Sequence, residues 1–208
     1  MRQSHIQISI FVLISLFIGK LGFTQLPLPE DFCSRLKSGQ HSERKSVIDY
    51  QNHDAYDVHF YHLNLWVETD DSFIKGKVFI HAQSQSSDLD SIYLDLSKEM
   101  EVQQILLNQE EVEFIPNDQD VLCIMSPQNI GEGEDFILEI HYEGKALSTG
   151  GRGYVSLDSY HGTRVNWSLS EPFYSKDWWP CKQQLEDKAD SVWVFVTTSD
   201  KNKVGSNG

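Results

Sequence analysis

The chain has 208 residues, enough for one well-packed domain with a tail and too few for two large ones. Lys and Arg total 17 against 31 Asp and Glu, a net charge of -14, so the surface repels phosphate backbones and nucleic acid is disfavoured as a partner. Cys33, Cys123 and Cys181 are odd in number, widely spaced and without a C-x-x-C pair, which excludes a disulfide scaffold.

The first 25 residues, MRQSHIQISIFVLISLFIGKLGFTQ, place Arg2 before an apolar run from Ile6 to Ile18. That is the pattern of a secretory signal peptide (residues 1–25), cleaved between Gly19 and Gln25. The run is shorter than the roughly 20 residues that a spanning helix needs. An uncleaved amino-terminal anchor is the alternative, because no small-x-small cleavage pattern stands out. Export, to the periplasm, the medium or the cell surface, is the expected localisation. Residues 26–54 mix prolines with charges and lack a sustained period, so they read as a lead-in with one short helix around Ser34 to Ser46. The folded domain is expected over 55–208.

From Tyr56 the pattern has period two. Tyr56, Val58 and Phe60 share one parity, while Tyr61, Leu63, Leu65 and Val67 share the other, which predicts a β-bulge near Phe60. Ile74, Gly76, Val78, Ile80 and Ala82 continue on one face after the turn residues Glu68 to Ser72, so the two segments read as a hairpin. Further strands are predicted at Ser91 to Leu96, Val102 to Leu107, Glu111 to Ile115, Val121 to Met125 and Phe136 to Tyr142. The run STGGRG, from Ser148 to Gly153, reads as a turn or mobile loop, since no strand-to-helix context suits a phosphate loop. Strands at Thr163 to Leu169 and Ser191 to Thr198 follow, with a helical turn or two expected within Cys181 to Asp190. Many short strands without interleaved helices predict an all-β fold, a twisted β-sandwich or saddle of mainly antiparallel strands. Cys123 and Cys181 are expected as buried thiols.

The eight histidines do not assemble a metal site by spacing. His53, His59 and His62 lie on an extended segment that spreads them apart and alternates their faces, which suits tetrahedral zinc poorly. There is no H-E-x-x-H, no G-x-S-x-G elbow and no Walker loop. The residues thus indicate neither a metal site nor a catalytic residue in this chain.

The stretch Trp167 to Ala189, WSLSEPFYSKDWWPCKQQLEDKA, concentrates costly residues, including three of the five tryptophans. Glu171 precedes Pro172, which pushes it towards extended backbone and a projecting carboxylate. Lys176 and Asp177 are placed to form a charge pair near it, in a rigid aromatic-walled corner. On the residues alone, Glu171 reads more readily as a structural or surface carboxylate than as a functional one.

The string SEPFYSKDWWPCKQQLEDKADS resembles a segment of aminopeptidase N-type zinc metallopeptidases, T-Q-x-E-P-x-x-A-R-x-x-x-P-C-x-D-x-P-x-x-K-A, near the end of their amino-terminal β domain. Glu171, Pro172, Pro180, Cys181, Lys188 and Ala189 fit it. Leu169, Lys176, Gln183 and Leu185 depart from its Gln, Arg, Asp and Pro. YDVHFYHLNLWVE and IKGKVFIHA resemble the family's opening strands, so the likeness spans Tyr56 to Gly208. The resemblance implies the amino-terminal domain of an exported zinc aminopeptidase that removes amino-terminal residues from peptides. It implies that zinc and the general base belong to a following catalytic domain, and that Glu171 is a substrate-binding residue for the peptide's free α-ammonium. The closing KVGSNG places Asn-Gly where a hairpin turn is expected, which suggests that the chain stops short of that catalytic domain. The alternative is a free-standing, non-catalytic secreted β-sandwich binding module. A weaker alternative is a sugar-binding sandwich that uses Trp178 and Trp179 as a platform.

Overall fold

The computed structural model describes residues 53–117 and 119–206. The signal peptide at 1–25, the helix around Ser34 to Ser46, Cys33 and the Asn207-Gly208 turn lie outside them. The described residues are all-β. A six-stranded sheet runs in the order β12-β1-β2-β8-β4-β5. It comprises β1 (Tyr56–Val67), β2 (Phe73–Ser84), β4 (Met100–Leu107), β5 (Glu110–Glu111), β8 (Asp135–Lys145) and β12 (Ser191–Thr197). A three-stranded sheet orders β3 (Leu89–Asp95), β7 (Val121–Ile130) and β6 (Phe114–Asn117) as β3-β7-β6. A second orders β9 (Ser148–Thr149), β10 (Arg152–Tyr160) and β11 (Thr163–Leu169) as β11-β10-β9.

The parity switch in the first strand has the expected cause. β1 and β2 pair antiparallel with a register shift between Val58 and Phe60, so one extra residue turns Tyr61, Leu63 and Leu65 back into the core. Val78, Ile80, Leu138, Ile140 and Ile105 of the large sheet share one buried cluster with Ile92, Leu94, Leu122 and Ile124 of the β3-β7-β6 sheet. Each such side chain contributes about 1.5–3 kcal/mol when it leaves water. Alternate residues face outward, so period two in the sequence becomes two sheet faces.

Of the two readings of STGGRG the turn holds and the mobile loop does not: Gly150 and Gly151 both have positive φ, 60° and 80°, and Thr149 pairs with Arg152 across them. Two adjacent left-handed residues are what a tight two-residue β-turn demands. This turn launches β10, a strand that the Gly-rich reading hid. Three other expectations need correction. Cys181 to Asp190 holds no helix; the helical turn lies earlier, as a 3-10 turn at Ser175–Asp177. The single strand expected at Glu111 to Ile115 is split into β5 and β6, which belong to different sheets. Cys123 is half-buried, whereas Cys181 is buried as expected. Against the antiparallel trend, β12 pairs parallel with β1.

Candidate functional site

The Trp167–Ala189 stretch is where the three sheets are tied together. β11 ends at Leu169, and a turn follows in which the Tyr174 N–H donates to the Ser170 carbonyl at 2.9 Å. The Glu171–Pro172 peptide bond in this turn is cis. The indole N–H of Trp178 donates to Ser170 Oγ at 3.1 Å, closing the corner upon itself. Tyr142, buried on β8, donates its hydroxyl to the Trp178 carbonyl at 3.1 Å. Trp179 stands edge-on to Tyr61 of β1, ring centroids 4.9 Å apart. These contacts make the two tryptophans packing groups that join corner to sheet, not a flat sugar platform.

Lys176 and Asp177 do not pair with each other. Lys176 Nζ reaches Asp120 at 3.0 Å, and its backbone N–H donates to Gln183 Oε1 at 3.1 Å. Asp177 is buried, beneath Gly153. Gly153 has φ 79°, and a Cβ there would lie 2.9 Å from Asp177 Oδ2, so glycine is required for both conformation and space.

Beyond Pro180 the chain is locked onto β3. The Asp95 N–H donates to the Cys181 carbonyl at 2.7 Å, the Cys181 N–H returns to the Asp95 carbonyl at 3.1 Å, and the Gln183 N–H donates to Asp95 Oδ2 at 3.0 Å. Burial pushes the Cys181 thiol well up, with nearby Asp95 adding to it, so the thiol is neutral and inert.

Glu171 itself is exposed. Among the described residues no hydrogen bond or ion pair restrains its carboxylate, so the corner is rigid while this side chain stands clear of it. Next to it, Ser170 opens a cleft of about 510 Å³. Trp167, Trp178, Trp179 and Tyr154 line it together with Leu63, Leu65 and Val194 of the large sheet. The strand β11 is held over this cleft by Asn166, whose amide donates to the Glu68 and Asp71 carbonyls at 2.6 and 3.0 Å. Arg152 lies over the Tyr174 ring at 5.6 Å, which adds a cation to the corner. Neither Asn166 nor Arg152 was indicated by sequence reasoning. The Gly-Gly turn before Arg152 was the available signal.

Glu171 does not itself line the cleft; it is the exposed residue that follows the lining Ser170. The arrangement offers an unneutralised carboxylate there, which suits an ammonium group. It offers no nucleophile with an adjacent base. Among the described residues no three His, Cys, Asp or Glu side chains lie together as ligands for zinc. His59 sits beside Asp57 and Asp190, and His62 lies among aromatic rings, as surface and cross-strand groups.

No family model matches the sequence, and a search of curated proteins returns no match. Solved structures do match. An M1 zinc metallopeptidase from Deinococcus radiodurans superposes with a TM-score of 0.60 at 24% identity, covering 69% of this chain and 32% of its own. A variant of it bound to a Tyr-Ser-Ala substrate gives 0.59 at 25% identity, over 69% of this chain and 33% of its own. Yeast LTA4 hydrolase in complex with bestatin gives 0.58 at 19% identity, over 71% of this chain and 24% of its own. The chain therefore has the fold of the amino-terminal domain portion of M1 zinc metallopeptidases, and spans a third or less of the length of these structures.

Proposed function

We propose that this chain is the amino-terminal β domain of an exported zinc metallo-aminopeptidase, and that Glu171 receives the free α-ammonium of a peptide substrate. The observation that supports this reading most is a coincidence of motif and fold. Glu171, Pro172, Pro180 and Cys181 fall on one rigid corner of a chain whose fold matches M1 zinc metallopeptidases. One of those matches holds a peptide substrate. An exposed carboxylate can give a charge-assisted hydrogen bond to an α-ammonium that an internal peptide amide cannot make. The zinc and general base would come from a catalytic domain beyond this chain, which here supplies one wall of the substrate cleft. Export rests on the apolar run from Ile6 to Ile18.

The gene itself provides the test. The reading frame past Gly208 is expected to encode H-E-x-x-H, and the extended product to release amino acids from aminoacyl anilides. A stop codon directly after Gly208, with a stable product that binds no peptide, overturns the reading. In the extended enzyme, Glu171→Gln keeps the size of the side chain and removes its charge. Loss of one charge-assisted contact of about 1.5–3 kcal/mol lowers kcat/KM roughly tenfold to a hundredfold. Because the carboxylate is exposed and makes no hydrogen bond or ion pair among the described residues, the melting temperature should stay unchanged. A lower melting temperature with unaltered kcat/KM instead makes Glu171 a structural residue.

A further inference from the structure

Glu171 is exposed, yet the backbone that carries it is fixed through its half-buried neighbour Ser170. Ser170 is held at two atoms: its carbonyl accepts the Tyr174 N–H at 2.9 Å, and its Oγ accepts the Trp178 indole N–H at 3.1 Å. The first bond shapes the turn. The second spans eight positions and closes Glu171 and Pro172 into a ring with the 3-10 turn at Ser175–Asp177.

Trp178 is in turn anchored from the core. Its carbonyl accepts the Tyr142 hydroxyl at 3.1 Å, and its ring lies 5.9 Å from that of Trp179 and 6.3 Å from that of Tyr154. Tyr142 is 1% exposed and stands on β8, inside the large sheet, where Gly76 of β2 leaves room for its ring. Ser170, by contrast, directly follows β11 of the β11-β10-β9 sheet. The bond between Ser170 and Trp178 therefore ties the strand that leads to Glu171 to a segment anchored on a different sheet.

A charge-assisted hydrogen bond forms only when the ligand nitrogen comes within about 2.7–2.9 Å of the carboxylate oxygen. A backbone fixed before the ligand arrives narrows the region that the Glu171 carboxylate samples and lowers the entropy lost on binding. We propose, on the reading of Glu171 as the acceptor of the substrate's α-ammonium, that Ser170 and Trp178 are positioning residues whose hydrogen bond sets the place of that carboxylate. Neither bonds the substrate in this role; both act through Glu171.

Steady-state kinetics of the extended enzyme on aminoacyl anilides tests this. Ser170→Ala removes the acceptor, and Trp178→Phe removes the donor but keeps a ring. Each should lower kcat/KM about three- to tenfold, chiefly through KM, because an ammonium contact is made in the ground and transition states alike. Together they should cost no more than either alone, since both delete one bond. Ser170→Thr keeps the hydroxyl and should restore activity. The deciding measurement is the cycle with Glu171→Gln: once the charge is gone, Ser170→Ala should cause no further loss. A merely structural role would lower the melting temperature and act equally in both backgrounds. Losses that multiply, or a Ser170→Ala enzyme as active as wild type, overturn the inference while leaving Glu171 as the acceptor. A Glu171→Gln enzyme as active as wild type overturns the reading of Glu171 itself, and the positioning role with it.

Discussion

Lys182 is a cation held almost out of water: its side chain is 2% exposed, and that of its partner Asp187 is 8% exposed. Its ammonium donates to Asp187 and to the Tyr56 carbonyl at 2.6 Å, and sits 4.3 Å over the Tyr56 ring. Removing one member of such a pair leaves the other charged and dry, so Lys182→Met should cost about 3–5 kcal/mol in urea unfolding. Adding Asp187→Leu should recover most of that loss; a double variant no better than the single would show that packing, not the orphaned charge, sets the cost. Gly76 lies against a different ring. A Cβ there falls on Tyr142, itself fully buried, so Gly76→Ala should destabilise by about 1–3 kcal/mol. The glycine was legible only as one more residue on the inner face of a strand. Its reason, a tyrosine crossing from β8, depends on a neighbour that spacing does not reveal.

At the scale of elements, Asp95 links β3 to the segment after Pro180, and burial raises its carboxyl above the ordinary aspartate value of 3.8, against the opposing Gln183 N–H. The folded chain therefore holds this proton more tightly than the unfolded chain does. The resulting stabilisation is complete below the unfolded value and is lost as pH rises through the folded one. Relative to Asp95→Asn, the wild type should lose stability as pH climbs from 3.8 through that raised value; parallel pH profiles of thermal melting would refute the assignment. Thiol chemistry reports on the same joint. Half-buried Cys123 should react with an aromatic disulfide reagent in the native state, while Cys181 should wait for unfolding. Strands with clean alternation, such as β1, β2 and β8, were legible because period two survives wherever one face is buried. β10 was not, since Gly150, Gly151 and Gly153 read as loop composition although two of them make the turn and the third makes room for Asp177.

For the molecule as a whole, the 208-residue chain should bind no stoichiometric zinc and release no amino acids from anilides. One tightly held zinc per chain by metal analysis would sink that expectation. Sequence motif placed Glu171 near an aromatic corner, but pairing between Lys176 and Asp177 could not be judged from adjacency. Successive residues of a 3-10 turn diverge: Lys176 reaches Asp120 in the turn before β7, and Asp177 is buried beneath Gly153 of β10. The parallel ladder between β1 and β12 has a consequence in time. It joins Phe60 to Ser191, a separation of roughly 130 residues, so its entropy of closure is met only after the intervening hairpins have shortened the effective loop. Refolding should therefore proceed from local antiparallel pairs to this long-range seam. Tryptophan emission from Trp193, isolated by replacing the other four tryptophans with Phe, should report a phase slower than the growth of far-ultraviolet β signal. During synthesis, β1 then spends the interval with its β2 side matched and its other side waiting for a strand that the ribosome has not yet made.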